Sequence, residues 1–183
     1  MIRHLLAVAL AAAVWPAHAD QKATTETTLA TGLPRAPEQE AVTIELADLS
    51  FRVDPSRKSL AGDATLTLRA VKPVSALVVD LDRDFAVDLV EVDGVPVARD
   101  GWRNPQGRMQ VDLAKPLAAG ARATLRIRYA GVPHEAKRAP WDGGFVWAKT
   151  PSGEPWIATA VQGDGCDMLW PCIDHPVGEP LEV

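Results

Sequence analysis

Apolar and polar residues alternate along much of the chain after residue 41. An alternation with a period of two puts successive side chains on opposite faces of a strand, which predicts one buried and one wet face. One further segment, Ala76–Leu81, is apolar almost throughout, and this predicts a strand buried on both faces. The predicted strands are Val42–Leu49, Ala64–Arg69, Ala76–Leu81, Val87–Val92, Arg108–Leu113 and Ala123–Tyr129.

Turn-forming residues separate these strands. Asp93-Gly94 tolerates the positive φ angles of a tight hairpin, and Glu91-Val92 and Val95-Pro96 are its predicted arms. Between residues 41 and 183 no segment combines a helical period with capping residues. The pattern therefore predicts an all-β fold of layered antiparallel sheets, of the β-sandwich type.

The N-terminal residues predict export. Arg3 precedes the apolar run Leu5–Val14, and Ala17-His18-Ala19 supplies small residues for cleavage, so residues 1–19 are interpreted as a signal peptide. The apolar run is too short to span a bilayer. We expect a periplasmic or extracellular protein, with a flexible leader over residues 20–40 and a β-domain over residues 41–183.

The charge and the aromatic residues limit the kinds of ligand that the sequence supports. The formal net charge is −5 and the basic residues are scattered singly, which argues against a nucleic-acid ligand. Four of the six tryptophans, however, lie in the C-terminal part: Trp141, Trp147, Trp156 and Trp170. Exposed aromatics would suit an exported carbohydrate- or protein-binding module without catalysis. We instead expect Trp147 and Trp156 to pack in the core, with local partners for their N–H groups, and Trp170 to anchor a turn.

The same region carries an ordered set of motifs. Gly143-Gly144-Phe145 precedes a Pro155-Trp156 strand that leads to Gln162, and Trp170-Pro171-Cys172 precedes Asp174-His175-Pro176. This order resembles the N-terminal domain of M1 family zinc metallopeptidases, above all the aminopeptidase N-like enzymes of bacteria. The resemblance runs from Val42 to the end of the chain. It implies a saddle-like β-domain placed over the active site of a following zinc-dependent catalytic domain.

The resemblance also implies a role for Gln162, which would help to hold the free α-amino group of a peptide substrate. An ammonium group donates three hydrogen bonds, and an amide oxygen accepts one without burying a second charge. An alternative is a strand-end amide bonded to neighbouring backbone. The implied partners are the N-terminus of a peptide substrate and the missing catalytic domain of the same polypeptide.

Zinc is the cofactor that the resemblance implies, but its ligands are not in this chain. An H-E-x-x-H helix places two histidines one turn apart on the metal and supplies a glutamate as general base. The histidines here are His4, His18, His134 and His175, and no two have that spacing. We therefore predict no catalytic or metal-binding residue and no activity for this chain alone.

Cys166, Cys172, Asp174 and His175 lie close together in the sequence, but the cysteine spacing is not a usual structural zinc pattern. A metal here is therefore not favoured, and Asp174 is expected to cap backbone amides. The cysteines suit either a disulfide, which export permits, or two small buried side chains.

The segment Glu179–Val183 resembles the start of a further strand. A chain that ends within a strand leaves a sheet edge unpaired, so we expect a truncated domain of marginal stability and solubility.

Overall fold

The computed structural model describes residues 31–139, 141–161 and 163–183. The predicted signal peptide, the leader up to residue 30 and Gln162 lie outside the described residues. The elements are a short helix α1 (Pro37–Glu40) and the strands β1 (Val42–Asp54), β2 (Ser59–Ala70), β3 (Val74–Asp80), β4 (Ala86–Val92), β5 (Val95–Pro96), β6 (Trp102–Arg103), β7 (Arg108–Leu117), β8 (Arg122–Gly131), β9 (Gly144–Lys149) and β10 (Pro155–Ala160). Two 3-10 turns, Arg99–Gly101 and Cys166–Met168, complete the list.

The strands form three sheets. A five-stranded sheet has the order β1-β2-β8-β4-β5, a three-stranded sheet the order β3-β7-β6, and β10 pairs with β9. Each pair of neighbouring strands is antiparallel. The prediction of an all-β fold with layered antiparallel sheets is confirmed. Among the described residues, no helix is both long enough and apolar enough to cross a bilayer.

The core comes from the alternation seen in the sequence. Along β2 every second residue is buried, and β8 follows the same rule over most of its length. Leu66 and Leu125 lie opposite each other in this pair, and both are completely buried. Burial of such leucine side chains contributes roughly 1.5–3 kcal/mol each to folding.

β3 crosses the core and is buried on both faces, as its sequence predicts. Leu77, Val78 and Val79 are each no more than 3% exposed. The strand ends with Asp80, which is equally buried although it is an acid. The polar partners that hold this carboxylate are described with the candidate site.

The predicted hairpin at Asp93-Gly94 is confirmed. Val92 pairs with Val95 and Glu91 with Pro96. The two turn residues have φ angles of 52° and 74°, the left-handed values that a two-residue type I′ turn requires. Local sequence was sufficient to predict this hairpin, because the turn and its two arms are contiguous in the chain.

The leader prediction differs from the structure at its C-terminal end. Residues Pro37–Glu40 form α1, and Gln39 is completely buried against the end of β3. The segment has no apolar period. Polar contacts attach it to the rest of the fold instead: Gln39 Nε2 donates to Asp80 Oδ2, and Pro34 O accepts from Arg108 Nη1 over 3.4 Å.

The C-terminal residues lie beside β1. Leu181 N–H donates to Ile44 O over 3.1 Å, and Ala47 N–H donates to Glu182 O over 3.0 Å. Glu182 therefore runs parallel to β1 opposite Leu46. Beyond residue 47, this side of β1 has no strand partner in the described part of the chain.

Candidate functional site

The β9–β10 hairpin leads the chain to position 162. Its register pairs Ala160 with Gly144, so the end of β10 lies beside the start of β9. Gln162, the predicted substrate-binding residue, lies outside the described residues. The residues on either side of it are joined, since Gly165 N–H donates to Val161 O over 2.9 Å.

The two glycines before Phe145 permit close backbone approach. At Gly144 the φ angle is 127°, and a β-carbon there would lie 2.6 Å from Ala136 N. At Gly143 a β-carbon would overlap the carboxylate of Asp164. The Gly-Gly-Phe segment is thus packed against the turn that follows position 162.

The loop after this turn contains a disulfide. Cys166 and Cys172 are joined, with their α-carbons 6.2 Å apart, which resolves the choice that the sequence left open. Between them, Leu169 O accepts a 2.6 Å hydrogen bond from Tyr129 Oη on β8. Burial raises the pKa of the Tyr129 hydroxyl well above its usual value, so this group remains a hydrogen-bond donor at neutral pH.

Asp80 joins this loop to the core. Its backbone exchanges two hydrogen bonds with Cys172, of 2.7 and 2.9 Å. Its carboxylate accepts from Gln39 Nε2 over 2.7 Å, from Asp174 N over 3.0 Å and from Arg108 Nε over 3.1 Å. A buried carboxylate needs such partners because an unpaired one carries a large desolvation cost. Four separate segments therefore meet at one side chain.

A second acid, Asp82, is 2% exposed beside the same loop. Its backbone N–H donates to Asp167 O over 3.0 Å, and its Oδ1 accepts from Asp84 N over 2.9 Å. Burial raises the pKa of this carboxyl, because one backbone hydrogen bond does not replace the hydration that the charge has lost.

The residues of the loop do not fit a zinc ion. The sulfurs of Cys166 and Cys172 are bonded to each other, so neither is available as a thiolate ligand. His175 Nδ1 accepts a 3.2 Å hydrogen bond from Val177 N. Within residues 31–139, 141–161 and 163–183, no group of three or more His, Cys, Asp or Glu side chains is arranged to hold a metal ion. Asp174 Oδ1 accepts from the Thr31 hydroxyl over 3.1 Å, and the Asp174 N–H donates to Asp80 Oδ2 over 3.0 Å. Among the described residues no backbone N–H donates to the Asp174 carboxylate, so the expected amide cap is not found.

The tryptophans divide into two groups, which corrects the sequence prediction. Trp156 is 52% exposed and is not a core residue, because its side chain stands on the solvent side of a two-stranded sheet. Trp147 is half-buried and stacks on Phe145 with ring centroids 5.3 Å apart. Its Nε1 is buried without a hydrogen-bond acceptor among the described residues, contrary to expectation. Trp170 is half-buried against the core, as expected for a turn anchor.

The sequence did not identify Asp80, Gln39 or Tyr129 as residues that position this loop. One signal was present for Asp80, since it is the single acid within an apolar strand. For Tyr129, the only tyrosine in the sequence, the useful observation is that it lies opposite Gly62. That pairing is known only once β2 and β8 are aligned.

Solved structures similar to this chain include M1 zinc metallopeptidases. The M1 zinc metallopeptidase of Deinococcus radiodurans is 28% identical over 74% of this chain, with a TM-score of 0.56. A variant of that enzyme, bound to a Tyr-Ser-Ala substrate, matches with a TM-score of 0.57. The native leukotriene A4 hydrolase of Saccharomyces cerevisiae is 17% identical over 88% of the chain, with a TM-score of 0.60, which shows the shared fold.

The chain spans 30% of the Deinococcus enzyme and 24% of the yeast hydrolase. No protein-family model matches the sequence. No curated protein matches it either. The structural similarities nevertheless confirm the resemblance inferred from the motifs between Gly143 and Pro176.

Proposed function

We propose that this chain, which fits an N-terminal domain of the M1 metallopeptidase family, is the substrate-gating domain of an exported zinc aminopeptidase. The proposal rests on the contacts of the two segments that flank position 162. Contacts hold the segments on both sides of Gln162. The β9–β10 pairing lies before it, and the Gly143–Asp164 contact and the Cys166–Cys172 disulfide hold the segment after it. Position 162 is the residue that the family resemblance assigns to the substrate amino group.

In this proposal the domain contributes binding and not bond cleavage. Gln162 accepts a hydrogen bond from the α-ammonium group of the peptide through its amide oxygen. Ligands from sequence outside this chain would hold the zinc ion of the intact enzyme, which would provide an activated water for hydrolysis. A variant of the Deinococcus relative has been solved with a tripeptide substrate, which supports a peptide as the ligand class.

Export is part of the same proposal. The Cys166–Cys172 disulfide is compatible with an oxidising compartment such as the periplasm or the cell exterior. The apolar N-terminal run and its small-residue cleavage site support the same localisation.

The first test is the coding sequence downstream of Val183. We expect an open frame that encodes Gly-x-Met-Glu-Asn and then H-E-x-x-H. A stop codon at this position, with a transcript that ends there, would remove the aminopeptidase assignment.

The second test uses the product of the whole open frame. Gln162→Ala is expected to raise KM for aminoacyl anilides with a smaller effect on kcat, because the lost contact is present in both ground and transition states. Gln106→Ala, at an exposed turn between β6 and β7, is the matched control. Equal KM values for the Gln162 variant and the wild type would contradict the gating role.

A second candidate function is an exported carbohydrate-binding module. It is favoured by one observation: Trp141 and Trp156 are 86% and 52% exposed. A cavity of about 330 Å³, lined in part by Trp147 and Lys149, lies next to the β9–β10 turn. Binding of the isolated chain to an immobilised glycan, abolished by Trp156→Ala and retained in Trp102→Ala, would support this function over the first.

A further inference from the structure

The segment after position 162 is bonded back to the residue before it. Val161 O accepts from Gly165 N–H over 2.9 Å and from Asp164 N–H over 3.3 Å. The disulfide-bonded loop begins at the next residue, Cys166. A displacement of that loop would therefore also move Val161 or break these two hydrogen bonds.

The first part of the loop is a 3-10 turn over Cys166–Met168. Cys166 O accepts from the N–H groups of Leu169 and Trp170, over 2.9 and 3.0 Å. Leu169 O, just after the turn, accepts the 2.6 Å hydrogen bond from Tyr129 Oη. A short series of covalent and hydrogen bonds thus connects the tyrosine on β8 to the residues next to position 162.

Tyr129 is held on a rigid part of the fold. It lies in β8 between β2 and β4, opposite Gly62 and Val87. Its ring is buried and packs edge-on against Phe85, with ring centroids 5.1 Å apart. The ring also fills the space above Gly62, where a β-carbon would overlap it. The hydroxyl therefore has a fixed position from which it holds Leu169 O.

The loop has a second anchor at its other end. Cys172 exchanges two backbone hydrogen bonds with Asp80, while Tyr129 contacts the stretch between the two cysteines. A loop attached at one point can still rotate about that point, and a second attachment removes this freedom. Functional groups need such support from the residues behind them, because small displacements weaken their contacts.

We propose that Tyr129 is a positioning residue for substrate binding, whose hydroxyl fixes the backbone next to Gln162 through Leu169 O and the Cys166 turn. This role rests on the proposed function of Gln162 as the acceptor for the α-amino group of a peptide. In this account Tyr129 acts through Gln162 and has no contact of its own with the substrate. Hydrogen bonds weaken steeply with distance, so a displacement of the acceptor by about 1 Å is enough to reduce affinity.

Tyr129→Phe tests this role in the product of the whole open frame. The phenylalanine keeps the ring beside Phe85 and removes the hydroxyl alone. We expect KM for an aminoacyl anilide to rise about three- to tenfold, with a smaller change in kcat. Partial unfolding would instead reduce the amount of active enzyme, and so the apparent kcat, without changing KM of the folded fraction. An unchanged KM for folded Tyr129→Phe would overturn the proposal.

Val90→Ala is the matched control. Val90 lies on β4, is buried in the same core as Tyr129 and takes no part in the series of bonds that leads to position 162. The variant should lose stability, because it leaves a cavity, and should keep the wild-type KM. A rise in KM as large as that of Tyr129→Phe would show that lost packing alone raises KM, and would overturn the proposal.

The combination with Gln162→Ala separates the two roles. In that background Tyr129→Phe should raise KM no further, because the acceptor that it positions is absent. A further rise by the same factor would overturn the positioning role of Tyr129 and leave the proposed role of Gln162 intact. An unchanged KM for Gln162→Ala alone would refute the role of Gln162, on which the positioning role depends.

Hydrogen exchange measures the positioning without a substrate. In Tyr129→Phe the Gly165 N–H, which donates to Val161 O, should exchange faster than in the wild type. The Gly120 N–H donates to Ala70 O over 2.7 Å at the turn before β8, and its exchange rate should stay the same. Equal acceleration at both amides would indicate a global loss of stability and overturn the proposal.

Discussion

Gln39 donates a 2.7 Å hydrogen bond from Nε2 to Oδ2 of Asp80, across 41 positions of sequence and in a fully buried setting. This bond attaches α1 to β3. Since Asp80 also holds the loop at Cys172, the N-terminal segment and the candidate site depend on one carboxylate.

Loss of the Gln39 amide should destabilise the fold. In Gln39→Ala, a buried carboxylate oxygen loses a donor, and we expect the free energy of unfolding to fall by about 1–3 kcal/mol. Urea denaturation measures the change, and Gln106→Ala at an exposed turn is the matched control. Equal midpoints for the two variants would show that the Gln39–Asp80 hydrogen bond does not contribute to stability.

Gly62 should not tolerate a side chain. A β-carbon at this position would overlap the ring of Tyr129, which lies opposite it in the β2–β8 pair. Gly62→Ala is therefore expected to cost about 1–3 kcal/mol of stability, as overpacking usually does. Ala61→Ser, one residue away on the outer face, should change stability by less than about 0.5 kcal/mol. In a double-mutant cycle with Tyr129→Ala, additive costs would disprove the steric explanation.

Asp82 should reduce stability at neutral pH. Because burial raises its pKa in the folded state above the usual value of 3.8, the folded protein binds a proton more tightly here than the unfolded chain does. The stabilising effect of this protonation is present below the unfolded pKa and is lost as the pH rises through the folded pKa. Asp82→Asn should therefore raise the free energy of unfolding at pH 7.

The same variant should show little gain at a pH below the ordinary aspartate pKa, where the wild-type carboxyl is neutral as well. The asparagine retains an oxygen to accept from Asp84 N–H. Urea titrations at both pH values provide the comparison. A gain of equal size at low pH would indicate a packing effect instead of the charge.

The disulfide should stabilise the loop after position 162. Joining residues six positions apart removes loop entropy worth about 2 kcal/mol from the unfolded chain. Cys166→Ser/Cys172→Ser is expected to lower the free energy of unfolding by this amount, and reductant should have the same effect on the wild type. Reductant should leave the double variant unchanged. A wild-type chain insensitive to reductant would contradict this account.

Much of the fold could be predicted from local patterns. The alternation in Ala64–Arg69 and Ala123–Tyr129, and the turn at Asp93-Gly94, follow from neighbouring residues alone. The candidate site was harder to predict from the sequence, since its motifs became informative only through the resemblance to a family. The burial of Gln39 was missed because a polar residue without an apolar period gives no sign of its distant acceptor.

The sequence by itself determined most of the strands, the inward faces of β2 and β8, and the order of motifs from Gly143 to Pro176, because each depends on residues close together in the chain. Only the tertiary structure decided four other features. These are the acceptor of Gln39, the joining of Cys166 to Cys172, the exposure of Trp156 and the covering of one part of the β1 edge by Glu182. All four depend on which surfaces meet when the sheets pack, and residue type alone does not specify that.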